Sequence, residues 1–381
     1  MEENMQFRDL GAQYEALKDE IDAGIKDVIA SCRFIIGSQV GQLEEELATY
    51  VGTKHCISCA SGTDALSLVL MAWGVGEGDA VFAPDFTFFA TVNTAMGRGA
   101  TPVLVDIEED TFNMSPAALE EAIKATIAEG KLTPKVIIPV DLFGQSANFP
   151  EIRKIADKYG LKILEDGAQG FGGTIDGKRA CSFGDAGATS FFPAKPLGCY
   201  GDGGAIFTDD DELDEILRSI RAQGRSPEDK YDNRDIGINS RLDTLQAAIL
   251  LPKFHAFEKY ELDAVNKAAK MYDEQLVGLV KTPYVPEGFI SSWAQYTILL
   301  PNEETRNGLQ AYLKAAGIPS MVYYPRGMHQ QTAVKKYGFD KGSFPNTEKV
   351  VKRCLSLPMH PYLTEELVDE VCAKIKEYLA K

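Results

Sequence analysis

The sequence lacks any apolar run long enough to cross a membrane, and its longest apolar segments have the length of buried strands or helices. Its first residues, MEENMQFRDL, also lack the basic and then apolar pattern of a secretory signal. We therefore expect a cytoplasmic protein that has no membrane partner.

Positive charge is scarce as well. Lys and Arg number 39 against 56 Asp and Glu, which gives a formal net charge of −17. Nucleic acids and anionic membranes bind basic surfaces, so neither is expected as a partner. An anionic small substrate stays compatible with this charge, because a few cations inside a cleft decide its binding locally. Arg225, Arg241 and Arg326, in predicted loops, are available for that purpose.

Cysteine is present as seven scattered residues, an odd number that indicates reduced thiols in a chain of this size. Cys56 and Cys59 form a C-x-x-C pair, which is open to a metal or redox interpretation. However, the chain has no second such pair, and this one lies in a predicted strand, where residues three apart point to opposite faces. We expect core thiols and no metal site.

A dinucleotide-binding fingerprint is also missing. The glycines between Gly170 and Gly173 do not have the G-x-G-x-x-G spacing at a strand-to-helix turn. The interpretation as a Rossmann-type dehydrogenase rests on these glycines alone.

What the sequence does have is a steady alternation of strand-like and helix-like segments. Its 381 residues are 45% hydrophobic and 25% charged, as in an ordinary globular protein. Short buried runs at 54–60, 80–84, 101–106 and 161–164 alternate with helical patterns. This order predicts an α/β protein with a mainly parallel sheet flanked by helices, in which ligands bind beyond the carboxyl ends of the strands.

The pattern changes to shorter strands and amphipathic helices from Lys281 on. We therefore predict a large domain over residues 1–250, a linking helix over 251–280, and a smaller C-terminal α+β domain over 281–381.

Lys195 lies between Pro193 and Pro196 in the stretch TSFFPAKPLGCYGDGG, residues 189–204. The two prolines disfavour a regular helix or a central strand and predict an ordered loop, which can direct an amine to one place. Taken alone, a lysine beside glycines is usually a solvated surface residue. Its interpretation depends on the groups found elsewhere in the chain.

Two other segments offer complementary groups. Ser61-Gly62-Thr63 lies between a buried strand and an apolar helix, where free amides and a hydroxyl suit a phosphate. The alternative is that Ser61 or Thr63 only caps the helix. Asp166 follows another buried strand, where a cap or turn role is the alternative. Ser190 lies on the strand that leads to the lysine loop.

An amine, an acid and a phosphate-binding turn together match the demands of pyridoxal phosphate (PLP). Phe88 or Phe89 can add an aromatic face for the cofactor ring. The acid would keep the ring nitrogen protonated, and the lysine, once released by an incoming amine, would be placed to move a proton at the substrate carbon. Both halves of a transamination need only these groups.

Several segments resemble the DegT/DnrJ/EryC1/StrS family of nucleotide-sugar aminotransferases. The likeness runs from Phe7-Arg-Asp-Leu10 to the last helix, and the lysine and NSRLD segments are its strongest markers. The resemblance implies a fold type I PLP-dependent aminotransferase. The segments that carry it are ASGTDAL (Ala60–Leu66), EDGAQ (Glu165–Gln169), TSFFPAKPLGCYGDGGAIF (Thr189–Phe207), GINSRLDTLQAAIL (Gly237–Leu250) and SLPMHPYL (Ser356–Leu363).

By this resemblance, Lys195 would carry the cofactor and Asp166 would face its pyridine nitrogen. The other implied cofactor contacts are a bond near the ring hydroxyl from Gln169, stacking by Phe88, and phosphate binding by Gly62, Thr63 and Ser190.

The resemblance also implies a homodimer with composite active sites, in which Asn239 reaches the phosphate from the neighbouring subunit. Arg241 would bind an anionic group of the donor or acceptor, and Tyr324 and His329 would border the sugar pocket. The implied amino donor is glutamate.

Within the family, the lysine and NSRLD segments most resemble enzymes that aminate the 3-keto position of a UDP-N-acetyl-hexuronate for a surface polysaccharide of the O-antigen type. Two alternatives stay open: an aminotransferase for another 3- or 4-keto (deoxy)sugar nucleotide, and a non-catalytic regulatory relative. Asp202 replaces a common Glu, and Gly167 a common Ala or Cys, without removing a reacting group. A related branch that dehydrates its substrate carries histidine in place of the lysine, which Lys195 argues against.

Overall fold

A computed structural model describes residues 5–226, 228–229 and 231–381, to which the structural account applies. The strands in this part of the chain are β1 (His55–Cys59), β2 (Asp79–Pro84), β3 (Thr101–Val105), β4 (Thr133–Ile137), β5 (Lys162–Asp166), β6 (Thr174–Ile175), β7 (Lys178–Arg179), β8 (Ala186–Ser190), β9 (Gly204–Thr208), β10 (Phe289–Ile290), β11 (Tyr296–Leu299) and β12 (Cys354–Leu357). The helices are α1 (Leu10–Ser31), α2 (Ser38–Val51), α3 (Gly62–Ala72), α4 (Phe89–Gly97), α5 (Pro116–Glu129), α6 (Phe149–Tyr159), α7 (Asp211–Ile220), α8 (Thr244–Ala256), α9 (Leu262–Leu276), α10 (Glu303–Ala315), α11 (Thr332–Lys336), α12 (Pro345–Arg353) and α13 (Glu365–Leu379).

The main sheet has seven strands in the order β1-β9-β8-β5-β4-β2-β3. Within it β9 runs antiparallel to both of its neighbours, and the other pairs are parallel. The prediction of an α/β protein with a mainly parallel sheet is confirmed. Because β9 starts where β1 and β8 end, Gly204 pairs with Cys59 on one side and with Ser190 on the other. This register brings the ends of β1 and β8 to one place.

The two faces of the sheet are covered by different helices. Cys56 packs with α2 and α8 in one apolar cluster, and Cys59 packs with α3 and α7 in another, as the strand period requires. Both thiols are buried, and burial raises the pKa of Cys59 to about 12. Of the free cysteines, only Cys32 is exposed, at the left-handed residue that ends α1.

The C-terminal part has its own core, built around the antiparallel pair β11 and β12 with α9, α10 and α13. The helical path from α8 to α9 passes through Pro252, and its irregularity is a π-helical turn at Phe257–Glu261. The division of the chain at residues 250 and 281 stays a prediction. In the ranges that the structure describes, no helix combines the length and apolarity of a membrane span.

The segment before α1 joins the two parts of the fold. The backbone N–H of Met359 donates to the carbonyl oxygen of Phe7 over 3.1 Å, and the Phe7 ring meets Tyr323 edge-on at 6.1 Å between centroids. The N-terminal segment is therefore fixed against residues of the C-terminal core before it reaches the main sheet.

Candidate active site

The carboxyl ends of parallel strands meet at one edge of the main sheet, and the chemically distinctive side chains lie there. Asp166 is the last residue of β5, Ser190 is the last residue of β8, and Gly62 follows β1 as the first residue of α3. The lysine loop leaves the same edge after β8. The sheet topology thus collects groups that are far apart in sequence.

Asp166 is buried at this edge and accepts a hydrogen bond over 2.7 Å from the hydroxyl of Thr91 on α4. The amide of Ala168 donates to its other oxygen over 3.3 Å. Burial raises the pKa of Asp166, while the Thr91 bond and the nearby positive charge of Lys195 act in the opposite direction. The site therefore holds a carboxylate that favours a cationic group beside it.

Lys195 lies in an ordered loop, as its flanking prolines predict. Its backbone N–H donates to the carbonyl of Phe192 over 2.9 Å, and Cys199 N–H closes the loop onto the carbonyl of Phe191 over 2.7 Å. Burial lowers the pKa of the Lys195 amine to about 8, although the Asp166 carboxylate works against this shift. The two groups are near enough for each to shift the pKa of the other, and the lowered pKa of the amine gives it a larger neutral fraction near neutral pH than an ordinary lysine has.

The turn between β1 and α3 has the geometry of an anion-binding site. Ser61 caps α3, because its hydroxyl oxygen accepts from the Asp64 amide over 3.0 Å. This is the helix-capping role given above as the alternative for this residue. The amides of Gly62 and Thr63 then belong to the first turn, whose N–H groups have no acceptor within the helix. A Cβ atom at Gly62 would lie 2.6 Å from the Cβ of Ser190, so only glycine fits there.

Gln169, Tyr324 and Phe88 lie side by side at this edge. The side-chain oxygen of Gln169 accepts from the Phe143 amide over 2.7 Å, and its NH₂ group donates to the Tyr324 hydroxyl over 3.1 Å. The ring of the exposed Phe88 lies 6.3 Å from that of Tyr324. An aromatic face and an oriented amide thus adjoin the buried acid.

His329 is fixed by Asp85, the residue that follows β2. The His329 ring nitrogen Nδ1 lies 2.6 Å from one carboxylate oxygen of Asp85, and the His329 amide donates to the other over 2.7 Å. Asp85 is fully buried, and burial raises its pKa while His329 lowers it. This pair joins the segment that contains Tyr324 to the edge of the main sheet.

Asn239 and Arg241 lie on the loop before α8, next to the turn between β1 and α3. Ser240, between them, donates to the Asp64 carboxylate over 2.7 Å and accepts from the Ala60 amide over 3.1 Å. The Asn239 side chain is exposed. The Nε atom of Arg241 is buried and has no hydrogen-bond partner in the described ranges of the chain. A buried donor without an acceptor is available to an anionic ligand.

Two residues of this site were not identified from the sequence. Thr91 lies within α4 among apolar residues, and no sequence signal marks its bond to Asp166. Arg8, whose guanidinium contacts the lysine loop, belongs to the Phe7–Leu10 segment of the family resemblance, and that likeness was the one available signal. Both contacts join distant parts of the chain.

The residues at this edge fit PLP. The buried Asp166, the Lys195 amine, the helix start with the Gly62–Ser190 contact and the Phe88 face provide one group for each part of that cofactor. When bound, PLP supplies an electron sink that stabilises negative charge at the substrate carbon. The protein groups can bind the cofactor, hold a proton at its ring nitrogen and move a proton at the substrate carbon.

Comparison with known proteins agrees with this chemistry. The family model of the DegT/DnrJ/EryC1/StrS aminotransferases matches residues 15–376. The chain is 48% identical over 375 residues to the UDP-2-acetamido-2-deoxy-3-oxo-D-glucuronate aminotransferase of Pseudomonas aeruginosa, covering 97% of this chain and 99% of that protein. It is 44% identical over 378 residues to a pleiotropic regulatory protein of Geobacillus stearothermophilus, covering 98% of each. A DegT DnrJ EryC1 StrS aminotransferase from Brucella abortus has a similar crystal structure, with a TM-score of 0.95 at 50% identity over 99% of this chain and 100% of that one.

The fold and these matches define a PLP-dependent aminotransferase. More particularly, the chain belongs to the DegT/DnrJ/EryC1/StrS aminotransferase family, as its sequence segments predict. The family, the fold class and the cofactor inferred from the sequence are confirmed.

Proposed function

We propose that the protein transfers an amino group from glutamate to the 3-keto carbon of a UDP-N-acetyl-hexuronate, in the biosynthesis of a surface polysaccharide of the O-antigen type. The observation that carries the proposal is the 48% identity, over 97% of the chain, to a Pseudomonas aeruginosa enzyme whose name gives that substrate. A cytoplasmic location belongs to the same proposal.

Lys195 and Asp166 are the catalytic residues of this proposal. The Lys195 amine would hold the cofactor and, once free, would remove a proton from the substrate carbon, for which its pKa of about 8 is suited. Asp166 holds a proton at the pyridine nitrogen, because a buried carboxylate stabilises a cation beside it. The mutual effect of the two charges on each other's pKa supports their position on one cofactor.

The geometry of the sheet edge supports the remaining proposed cofactor contacts. Gly62 and Thr63 offer helix-start amides to the phosphate, and Ser190 adds a hydroxyl from the adjacent strand end. Gln169 would bond near the ring hydroxyl of the cofactor, and Phe88 would stack on its ring. The Gln169–Tyr324 bond supports this placement because it fixes the orientation of the Gln169 amide.

Three residues are proposed to bind the substrate. Arg241 binds an anionic group of the donor or acceptor, which its unpaired buried Nε supports. Tyr324 and His329 border the sugar pocket. A sugar carboxylate also needs a cationic partner, and Arg241 and the exposed Arg326 are the candidates.

A homodimer with composite sites is part of the proposal, with Asn239 reaching the phosphate bound by the neighbouring subunit. Its support is an exposed apolar run beside this loop. Phe34, Ile35 and Ile36 are 44%, 49% and 53% exposed, and Ile35 forms a bridge with Asp243. Such a run in a polar surface is typical of a protein contact.

Mixing two inactive variants tests the composite site. A heterodimer of Lys195→Ala and Asn239→Ala subunits contains one site with both parental residues if Asn239 acts across the dimer. Random mixing should then restore about a quarter of parental activity, since half the dimers are mixed and each has one intact site. If the two residues act within one subunit, mixing restores nothing, and the composite site is wrong.

The overall function is tested by incubating the purified protein with glutamate and 3-keto UDP-N-acetylglucuronate and detecting the amino sugar by mass spectrometry. Lys195→Ala should abolish turnover, whereas Lys154→Ala, at an exposed position on α6, should leave it unchanged. Turnover by the Lys195→Ala protein would overturn the catalytic assignment.

Two other functions are separated by the same assay. Faster amination of another 3- or 4-keto (deoxy)sugar nucleotide in a substrate panel would replace the hexuronate. The name of the Geobacillus stearothermophilus relative favours a regulatory role as the second candidate. Absence of amine transfer across the whole panel, with cofactor bound, would support that role.

A further inference from the structure

Arg8 makes an unusual contact with the lysine loop. One guanidinium nitrogen, Nη2, donates to the carbonyl oxygen of Lys195 over 2.6 Å and to that of Pro196 over 3.1 Å. The donor lies 187 residues away in sequence from its first acceptor. A single side chain thus binds two consecutive carbonyl groups at the residue proposed to carry the cofactor.

The lysine loop has few other means of fixing these carbonyls. Pro193 and Pro196 contribute no N–H group, so the loop cannot form a regular ladder of backbone bonds here. The direction of the Lys195 side chain depends on the peptide plane that follows its Cα, whose oxygen is the one that Arg8 binds. A charged, multidentate donor restrains that plane more strongly than water does.

Arg8 is itself fixed from outside the loop. Its neighbour Phe7 accepts the bond from Met359 and packs on Tyr323, next to Tyr324. The lysine loop and the C-terminal segment that borders the site are therefore connected through residues 7 and 8. A rigid support of this kind is what a precisely oriented amine requires.

The charge of Arg8 also acts on the site. Burial lowers the pKa of Arg8 to about 10, and the nearby Glu261 opposes that shift. Glu261 is occupied by bonds from Gln13 and Tyr362. The charge of Arg8 adds to the effect of burial in lowering the pKa of Lys195. The other titratable groups that face Arg8 or Lys195 are Asp166, Lys253, Glu261 and His360.

We propose that Arg8 is a positioning residue for Lys195, acting through the two loop carbonyls that its guanidinium binds. The inference rests on the proposed role of Lys195 as the residue that carries the cofactor. Arg8 has two separable effects. Its geometry orients the amine, and its charge favours the neutral amine that reacts.

The test compares Arg8→Lys, which keeps the charge and loses the two-carbonyl contact, with Arg8→Gln, which loses both. Turnover should fall about 10- to 100-fold in each variant, because small misplacements of a reacting group have effects of that size. KM for the sugar should change little, since both hydrogen bonds of the Arg8 guanidinium go to the lysine loop.

A second measurement does not use activity. The Lys195 amine of the cofactor-free protein is trace-acylated with acetic anhydride across pH, and the modified peptide is quantified by mass spectrometry. The parental midpoint should lie near the pKa of about 8. Arg8→Gln should move it to higher pH because a neighbouring cation is lost, and Arg8→Lys should leave it near the parental value.

Arg306 provides a matched control. It is buried in the C-terminal part, and its Nη1 also donates to two backbone carbonyls, those of Val351 and Cys354, at 3.3 Å each. Arg306→Lys and Arg306→Gln should lower thermal stability without moving the Lys195 midpoint. If Arg8→Lys does not fold, Arg8→Gln decides the question through turnover and midpoint together. If Arg8→Gln does not fold, the turnover of Arg8→Lys decides it.

Turnover within about twofold of the parent in the folded Arg8 variants would overturn the inference. An Arg8→Gln midpoint equal to the parental one, together with a loss of turnover no larger than that of the Arg306 variants, would also overturn it. Reduction of the parental protein with borohydride distinguishes a failure of this inference from a failure of the proposed function. If the reduced protein does not keep the cofactor on Lys195, the proposed function is wrong, and this inference is wrong with it. Retention on Lys195 with a neutral Arg8 result overturns the inference alone.

Discussion

Thr91 donates its hydroxyl hydrogen bond to the buried carboxylate of Asp166 over 2.7 Å, from α4 to the end of β5. This bond lowers the pKa of Asp166 against the burial that raises it. Thr91→Val keeps the shape and removes the donor, so the pKa of Asp166 should rise. We expect kcat to fall about tenfold and the acid limb of its pH profile to move to higher pH.

Thr91→Ser is the control for that change, since it keeps the hydroxyl and should retain most of the activity. If the acid limb of the kcat profile of Thr91→Val lies at the same pH as that of the parent, Thr91 does not set the pKa of Asp166.

Gly62→Ala should weaken cofactor binding. The new Cβ would lie 2.6 Å from Ser190 Cβ, and the start of α3 would have to move away from β8. We expect the Kd for PLP, measured by fluorescence titration of the cofactor-free protein, to rise at least about tenfold. Gly41→Ala is the matched control, because a Cβ added there would have no described atom from outside its own helix within 4 Å. Equal Kd values for the two variants would argue against a phosphate site at this turn.

Tyr324→Phe should loosen the side-chain amide of Gln169. Removing the hydroxyl leaves the Gln169 NH₂ group without the acceptor that it has at 3.1 Å. A lost buried hydrogen bond typically changes a free energy by about 1–3 kcal/mol, so kcat/KM should fall about 5- to 150-fold. Tyr323→Phe, on the neighbouring ring that packs on Phe7, should have little effect. Steady-state kinetics that fail to separate the two variants would contradict this placement of Gln169.

Lys253→Met should stabilise the protein at neutral pH. The Lys253 side chain is 1% exposed, and its amine has no hydrogen-bond partner in the part of the chain that the structure describes. A buried polar group without a hydrogen bond costs about 1–3 kcal/mol. The Lys253 ammonium lies 4.7 Å from the centre of the Tyr200 ring, which offsets part of that cost, so the free energy of unfolding should rise by an amount toward the lower end of the range. Denaturant titration of both proteins measures the difference.

The same comparison has a definite pH dependence. Burial lowers the pKa of Lys253 from 10.5 to about 8, so the unfolded chain binds more protons than the folded one between these values. The free energy of unfolding of the parent should therefore rise with pH across that window, and the advantage of Lys253→Met should shrink. A constant difference in the free energy of unfolding between the two proteins from pH 7 to pH 10 would show that the pKa of Lys253 is not lowered.

The sequence predicts the elements that local patterns control. Buried runs give β1, β2, β3 and β5, and the rule that parallel strands share a carboxyl edge brings Asp166, Ser190 and the lysine loop together. The order of the strands across the sheet was not predictable, because strand pairing joins segments far apart in the chain.

The unpredicted parts of the site are side-chain contacts over long sequence separations. Arg8 contacts Lys195 across 187 residues, His329 meets Asp85 across 244, and Thr91 meets Asp166 across 75. No periodicity encodes such contacts, since each residue type is common in unrelated surroundings. The family likeness supplied Lys195, Asp166 and Gln169 with roles, but it did not identify the residues that orient them.

The uneven accessibility of the seven sulfur atoms has a practical consequence. Six cysteines are buried, and Cys32 alone is exposed at the end of α1. A maleimide fluorophore should therefore attach at one position of the parental chain without prior mutagenesis. Because Cys32 lies beside the run from Phe34 to Ile36, mixing donor- and acceptor-labelled protein would report by energy transfer whether the proposed dimer forms and exchanges its subunits.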